Sequence, residues 1–137
     1  MSCLPVQAVR RVFSVTSICT TRASCTVSVI DLSGGAASAL DADVSTIRFS
    51  DFNAGGSREG ELDDAIRLPG PFGATVAQDL EPEYIAISAD STTAWASMQE
   101  NSAFAEIDLA TATITSLWGT GTKDYGLPGN ELDASNS

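Results

Sequence analysis

The sequence predicts an all-β chain, a fragment of a β-propeller. It has one near-complete four-stranded antiparallel blade, a partial blade before it, and a short helical or looped insertion between the two. Two observations predict this. Four six-residue runs rich in Ile, Thr and aromatic residues follow one another at ten-residue spacing between residues 83 and 118. The segment TVSVIDLSGGAASAL at 26–40 aligns without gaps on AFAEIDLATATITSL at 103–117, an offset of 77 residues. Blade repeats have a period of roughly 40 to 45 residues, so this offset reads as one blade plus an insertion of roughly 35, or as nearly two blades.

Residues 1–24 stand apart. They hold Arg10, Arg11 and Arg22 and no acid, whereas the rest of the chain carries all 18 acids against Arg48, Arg58, Arg67 and Lys123. The apolar stretch at 12–18 is interrupted by Ser14, Thr16 and Ser17, so it lacks the continuous core of a secretory signal and reads as a misassigned start or a frayed strand. A partial blade follows at 25–52, with VSTIRFSDF at 44–52 as its outer strand.

The insertion, 53–82, opens on NAGGSREG, a loop by composition. In ELDDAIRL at 61–68, Leu62, Ala65 and Ile66 share one helical face, and Pro69-Gly70-Pro71 ends the pattern. This predicts a short helix with Asp63 and Asp64 as surface charges.

The four-stranded blade comprises EYIAIS at 83–88, TAWASM at 93–98, AFAEID at 103–108 and TITSLW at 113–118. Its links are polar four-residue loops, the first an Asx-type turn at Asp90. Strand alternation sets Tyr84, Ala86 and Ser88 against Ile85 and Ile87, and Phe104, Glu106 and Asp108 against Ala105 and Ile107. Trp95 and Trp118 fall within strands and read as packing residues. Residues 119–137 begin a further connection.

Composition narrows the function. A net charge of -11 opposes binding to nucleic-acid phosphates or anionic membranes, and no run reaches the length of a membrane span. There is no His, which removes Ser/His and Cys/His nucleophile pairs and the usual zinc sites. Cys3, Cys19 and Cys25 are odd in number, so neither a disulfide framework nor a thiolate metal site is indicated. The glycine-rich pieces lack phosphate-loop form and a following Lys.

The metal candidates are Asp79, Glu81, Glu83 and Glu100. In an antiparallel meander, the segment entering the first strand and the link between the second and third lie at the same end. QDLEPE at 78–83 and QEN at 99–101 therefore share one rim, where Gln78, Gln99 and Asn101 add neutral oxygens to the four carboxylates. Calcium takes six to eight such oxygens, and this set supplies several, without EF-hand spacing. The simpler reading is of solvated loop acids.

VSVIDLSGG at 27–35, QDLEPEYIAIS at 78–88, TAWASMQENSAFAEIDLATATITS at 93–116 and KDYGLPGNELDAS at 123–135 resemble the β-propeller of the choice-of-anchor I family. The resemblance covers residues 25–135. It implies a YVTN- or WD40-like propeller in a bacterial secreted or surface protein. Some relatives are labelled alkaline-phosphatase-like, and the family is related to an animal mesenchyme-specific cell-surface glycoprotein. The chain departs from the family pattern after Asp90, where a glycine turn is expected, after Asn101, where a second Asn is expected, and at Tyr125, where a His is expected.

The reading that follows is a secreted or cell-surface propeller fragment with a binding or structural role and no catalytic constellation of its own. The alternative is part of a calcium-dependent phosphoester hydrolase, in which rim carboxylates hold the ion that polarises phosphate and activates water. The implied partners are the remaining blades, and an uncovered sheet face with an open edge predicts self-association of the isolated chain.

Overall fold

The computed structural model describes residues 11–16, 24–32, 36–70 and 72–131. Readings that fall on residues 1–10, 17–23, 33–35, 71 and 132–137 lie outside the described residues. Among the described residues, seven strands form two antiparallel sheets. The first, in the order β1-β2-β3, contains β1 (Arg11–Thr16), β2 (Thr26–Asp31) and β3 (Val44–Arg48). The second, in the order β4-β5-β6-β7, contains β4 (Tyr84–Ile87), β5 (Thr93–Met98), β6 (Ala103–Asp108) and β7 (Thr113–Gly119). The second sheet is the four-stranded meander that the ten-residue spacing predicts, and the architecture is all-β, consistent with part of a propeller. Arg11–Thr16, which falls within the anomalous basic opening, pairs along the whole of β2.

The two halves of the internal repeat behave differently. Thr26–Asp31 and Ala103–Asp108 are both central strands at an offset of 77 residues. The matched tails diverge: Ala36–Asp41 is a 3-10 turn with Leu40 fully exposed, whereas Leu117 lies in β7 and is buried. A lengthened link between β2 and β3 absorbs the first tail, so the strand equivalent to β7 is β3.

One core joins the sheets. Val27, Val29 and Ile47 of the first sheet cluster with Ala94, Ala96, Met98, Ala105, Ile107 and Leu117 of the second. Alanine dominates the inward face of β5 and β6, so their strands can approach the neighbouring sheet closely. The expected outer strand at 44–52 stops at Arg48 because Ser50–Phe52 turns into 3-10 helix. Residues three apart eclipse in that geometry, which brings Phe49 and Phe52 to one side, both fully buried. Each contributes about 2–3 kcal/mol by burial.

The helix expected over 61–68 is not formed. A 3-10 turn at Glu59–Glu61 is followed by an Asx turn, in which Asp63 Oδ1 accepts the Ala65 N–H at 2.9 Å and Oδ2 accepts the Gly119 N–H at 2.9 Å. Asp63 is thus a latch between the insertion and the end of β7, in place of the expected surface charge; Asp64 is exposed as expected. A second latch is Arg58, which donates to Ile114 O at 2.6 Å and lies 4.6 Å above the Phe52 ring. Backbone fixed by long-range bonds within the chain outcompetes a helix too short to hold itself.

Cys25 is buried and disulfide-bonded, contrary to the expectation from the odd cysteine count; its partner lies outside the described residues.

Candidate functional site

The candidate site is the rim formed by the entry to β4 and the β5–β6 link. Val76–Asp79 is a single helical turn, α1, whose start is fixed by a capping box: the Thr75 N–H donates to Gln78 Oε1 at 3.0 Å. Leu80 and Pro82 are fully buried and anchor the extended segment that follows. Pro82 prevents helix there, so Glu81 and Glu83 stand two apart on an extended chain. Glu83 N donates to Ser97 O at 2.9 Å, which holds it beside the end of β5.

Asn101 ties the rim together. Its Oδ1 accepts the Glu81 N–H at 2.9 Å, and its Nδ2 donates to Arg67 O and to Asp79 O, each at 3.0 Å. Its own carbonyl accepts the Arg67 N–H at 2.8 Å. Three segments distant in sequence thereby meet on one buried carboxamide.

The result is a carboxylate cluster. Glu81, Glu83 and Glu100 each offer an oxygen within 4.8 Å of the others; the first two are half-buried and Glu100 is exposed. A hydrogen bond between Glu83 and Glu100 requires a shared proton. That bond, desolvation, and the negative charges of Glu100 and Glu81 hold the Glu83 carboxyl above the usual carboxylate range. Three like charges at this spacing favour any species that neutralises them, whether protons or a hard cation completing its shell with water.

Of the residues nominated from sequence, the structure brings together Glu81, Glu83 and Glu100 and leaves Asp79 outside. The Asp79 side chain turns toward Gly70 and packs so tightly there that a β-carbon at position 70 would collide with Asp79 Oδ1. It lines an open recess of about 230 Å³ with Leu68, Phe72, Thr75 and Val76. Burial raises its pKa, opposed by a bond from the Gly70 backbone and by the Arg67 charge. The neutral donors are redirected too: Gln78 Oε1 serves the capping box and Asn101 Oδ1 serves Glu81. Loop parity places Asn101 on the correct rim but not in its interior; a turn residue flanked by strands gives no sign of which backbone groups it will satisfy.

The opposite face of the second sheet is aromatic, with Trp95, Phe104 and Trp118 half-buried and Tyr84 exposed among the described residues. Tyr84, Ser97, Phe104 and Trp118 form one cross-strand row, and Ala86, Trp95, Glu106 and Ser116 the next. Phe104 and Trp118 stack with centroids 6.0 Å apart. Glu106, the one charge in these rows, accepts the Trp95 indole N–H at 3.0 Å and the Thr115 hydroxyl at 3.0 Å.

Two antiparallel sheets whose central strands are related by a sequence repeat thus share one core, with three carboxylates gathered on a loop rim. A choice-of-anchor I domain matches residues 15–137, and the chain belongs to that family. Membership points to a secreted or cell-surface protein. Comparison with curated proteins and with solved structures gives no match. Among the described residues, no helix is long and apolar enough to cross a membrane.

Proposed function

We propose that the chain is part of an extracellular or cell-surface β-propeller that serves binding or structural attachment. The observation that carries this is the stacking of two repeat-related antiparallel sheets within a choice-of-anchor I domain. Sheets stacked in this way leave their loops on common rims, and one such rim gathers the carboxylates of Glu81, Glu83 and Glu100 within 4.8 Å of one another. The test is accessibility. Antibodies raised against the chain are expected to label intact cells of the source organism, and brief protease treatment of those cells to remove the label. Label found only after lysis would overturn the reading.

A second reading, calcium-dependent phosphoester hydrolysis, draws on the same three carboxylates as holders of the ion. Its measurement is p-nitrophenol release from p-nitrophenyl phosphate by the purified chain with calcium or with chelator. Release that needs calcium and is lost in the Glu83→Gln/Glu100→Gln variant would replace the binding role with a catalytic one. No release under either condition leaves the binding role.

A further inference from the structure

Asp79, the acid that the rim leaves out, is nearly enclosed and only half satisfied. Its side chain is 9 % exposed. The carboxylate accepts the Gly70 N–H, whereas Oδ2 is buried and has no hydrogen-bond partner among the described residues. A carboxylate oxygen in such a place costs free energy until a donor reaches it. The nearby cation of the chain does not supply one, because Arg67 turns its guanidinium to the Glu100 carbonyl, 3.3 Å away. The recess that Asp79 lines has a volume of about 230 Å³ and an apolar wall of Leu68, Phe72 and Val76. Its Thr75 hydroxyl already donates to Gln78 Oε1 at 3.1 Å. The recess therefore combines one free acceptor, on a charged group, with an apolar surround.

These features select the head of a ligand. A hard divalent cation takes six or more oxygens, and the described lining of the recess holds a single carboxylate. A guanidinium grips a carboxylate as a fork across both oxygens, and one of them is already taken by Gly70. One positively charged N–H on an aliphatic stem meets both constraints, and the exposed Phe72 ring adds a face that attracts a cation. The net charge of -11 favours such a cation over a neutral donor. We propose that the Asp79 recess binds a primary alkylammonium group, of the kind carried by a lysine side chain or a small aliphatic amine, which donates to Oδ2. Because Oδ2 is sealed from solvent, binding displaces the wall at Phe72 and Gly73, where the fully exposed Phe72 ring makes no packing that resists the movement. The proposal is independent of what Glu81, Glu83 and Glu100 hold.

The experiment is titration of the 137-residue chain with n-butylammonium chloride, followed through the amide resonances of Gly70 and Gly73, with circular dichroism to check that each protein is folded. Saturable shifts are expected there. Asp79→Asn, which keeps the shape and removes the charge, is expected to bind about tenfold more weakly or worse, the loss of one charge-assisted hydrogen bond. Phe72 is fully exposed, so Phe72→Ala leaves the packing intact and is expected to weaken binding as well. Asp64→Asn removes one exposed charge outside the recess and is expected to change nothing. Tetramethylammonium has the charge but no N–H and is expected to bind as weakly as n-butylammonium does to Asp79→Asn. The same titration on the chain extended to a complete propeller, an arm that rests on the function proposed above, separates the two sources. Binding lost there assigns a lysine of the further blades to the recess, and binding retained assigns a free amine. Shifts confined to Glu83 and Glu100, equal affinity in Asp79→Asn, or equal affinity for tetramethylammonium would overturn the proposal.

Discussion

The side-chain carbonyl of Asn101, fully buried, accepts the backbone N–H of Glu81 at 2.9 Å while its amide nitrogen holds the carbonyls of Arg67 and Asp79. One carboxamide satisfies a donor and two acceptors that have no alternative partner in the bonding described. Replacing it by alanine would leave them without that partner at a buried or partly buried position. Asn101→Ala is expected to lose about 3 kcal/mol of stability, the cost of a few unsatisfied buried groups, measured by urea unfolding. Asn101→Asp should be worse at neutral pH, because a carboxylate would face two carbonyl oxygens. It should recover as pH falls and the carboxyl regains a proton to donate. An Asp variant that is as stable as wild type at pH 7 would contradict the bonding described.

The carboxylate trio makes a pH prediction of definite sign. The folded chain holds a proton on Glu83 more tightly than the unfolded chain does, because of its bond to Glu100 and the surrounding negative charge. Such a group destabilises the fold increasingly as pH rises from the unfolded carboxylate range through the raised folded value. Glu83→Gln is therefore expected to melt at a higher temperature than wild type at pH 7 and to converge with it below about pH 4, where both states of the wild type are protonated. Calcium should produce the same neutral-pH stabilisation in wild type and little in Glu83→Gln/Glu100→Gln, as read by differential scanning calorimetry. Equal calcium shifts in the two proteins would show that the trio holds no ion.

Among the described residues, three turn positions, Ser91, Ser102 and Ala112, hold a non-glycine residue at positive φ, and the two serines can be tested directly. Ser91 has φ 58° and Ser102 has φ 48°, both left-handed. Glycine and asparagine are the residues that tolerate this conformation most readily. Ser91→Gly and Ser102→Asn are each expected to stabilise the fold by about 0.5–1 kcal/mol, seen as a higher urea midpoint with unchanged slope. A fall in midpoint for both would mean that the hydroxyls matter more than the turn geometry.

How much of this is legible in sequence follows from which interactions are local. The second sheet is legible: β5 and β6 have the bounds read from the ten-residue spacing, because alternation and turn chemistry act within a few residues. Loop parity alone puts Glu81 and Glu100 on one rim, and the distance between them comes from the fold. The insertion is not legible, because Asp63 and Arg58 bond to Gly119 and Ile114, partners more than fifty positions away. A helical pattern of three apolar residues cannot announce such partners. Asp79 escapes for a related reason: α1 turns its side chain off the rim toward Gly70, and a turn of four residues leaves no clear period to read.

Gly119 offers the last test, where β7 meets the insertion. A β-carbon built there would collide with the Ala65 carbonyl group and lie 2.7 Å from the Ile66 nitrogen, all backbone atoms that no rotamer change can move. The same glycine donates its N–H to Asp63 at 2.9 Å, so the close approach and the latch depend on one another. Gly119→Ala must push the 63–66 turn away from β7, which breaks that bond and lifts Ile66 from the core. The expected loss is about 2–3 kcal/mol, the cost of overpacking a fixed contact. Gly60→Ala is the matched control, since a β-carbon there meets nothing within 4 Å. If both variants unfold at the same urea concentration as wild type, the insertion does not pack on β7. If only Gly119→Ala is destabilised, with faster amide exchange at Ile66 and Gly119, the insertion is part of the folded core and not a loop appended to it.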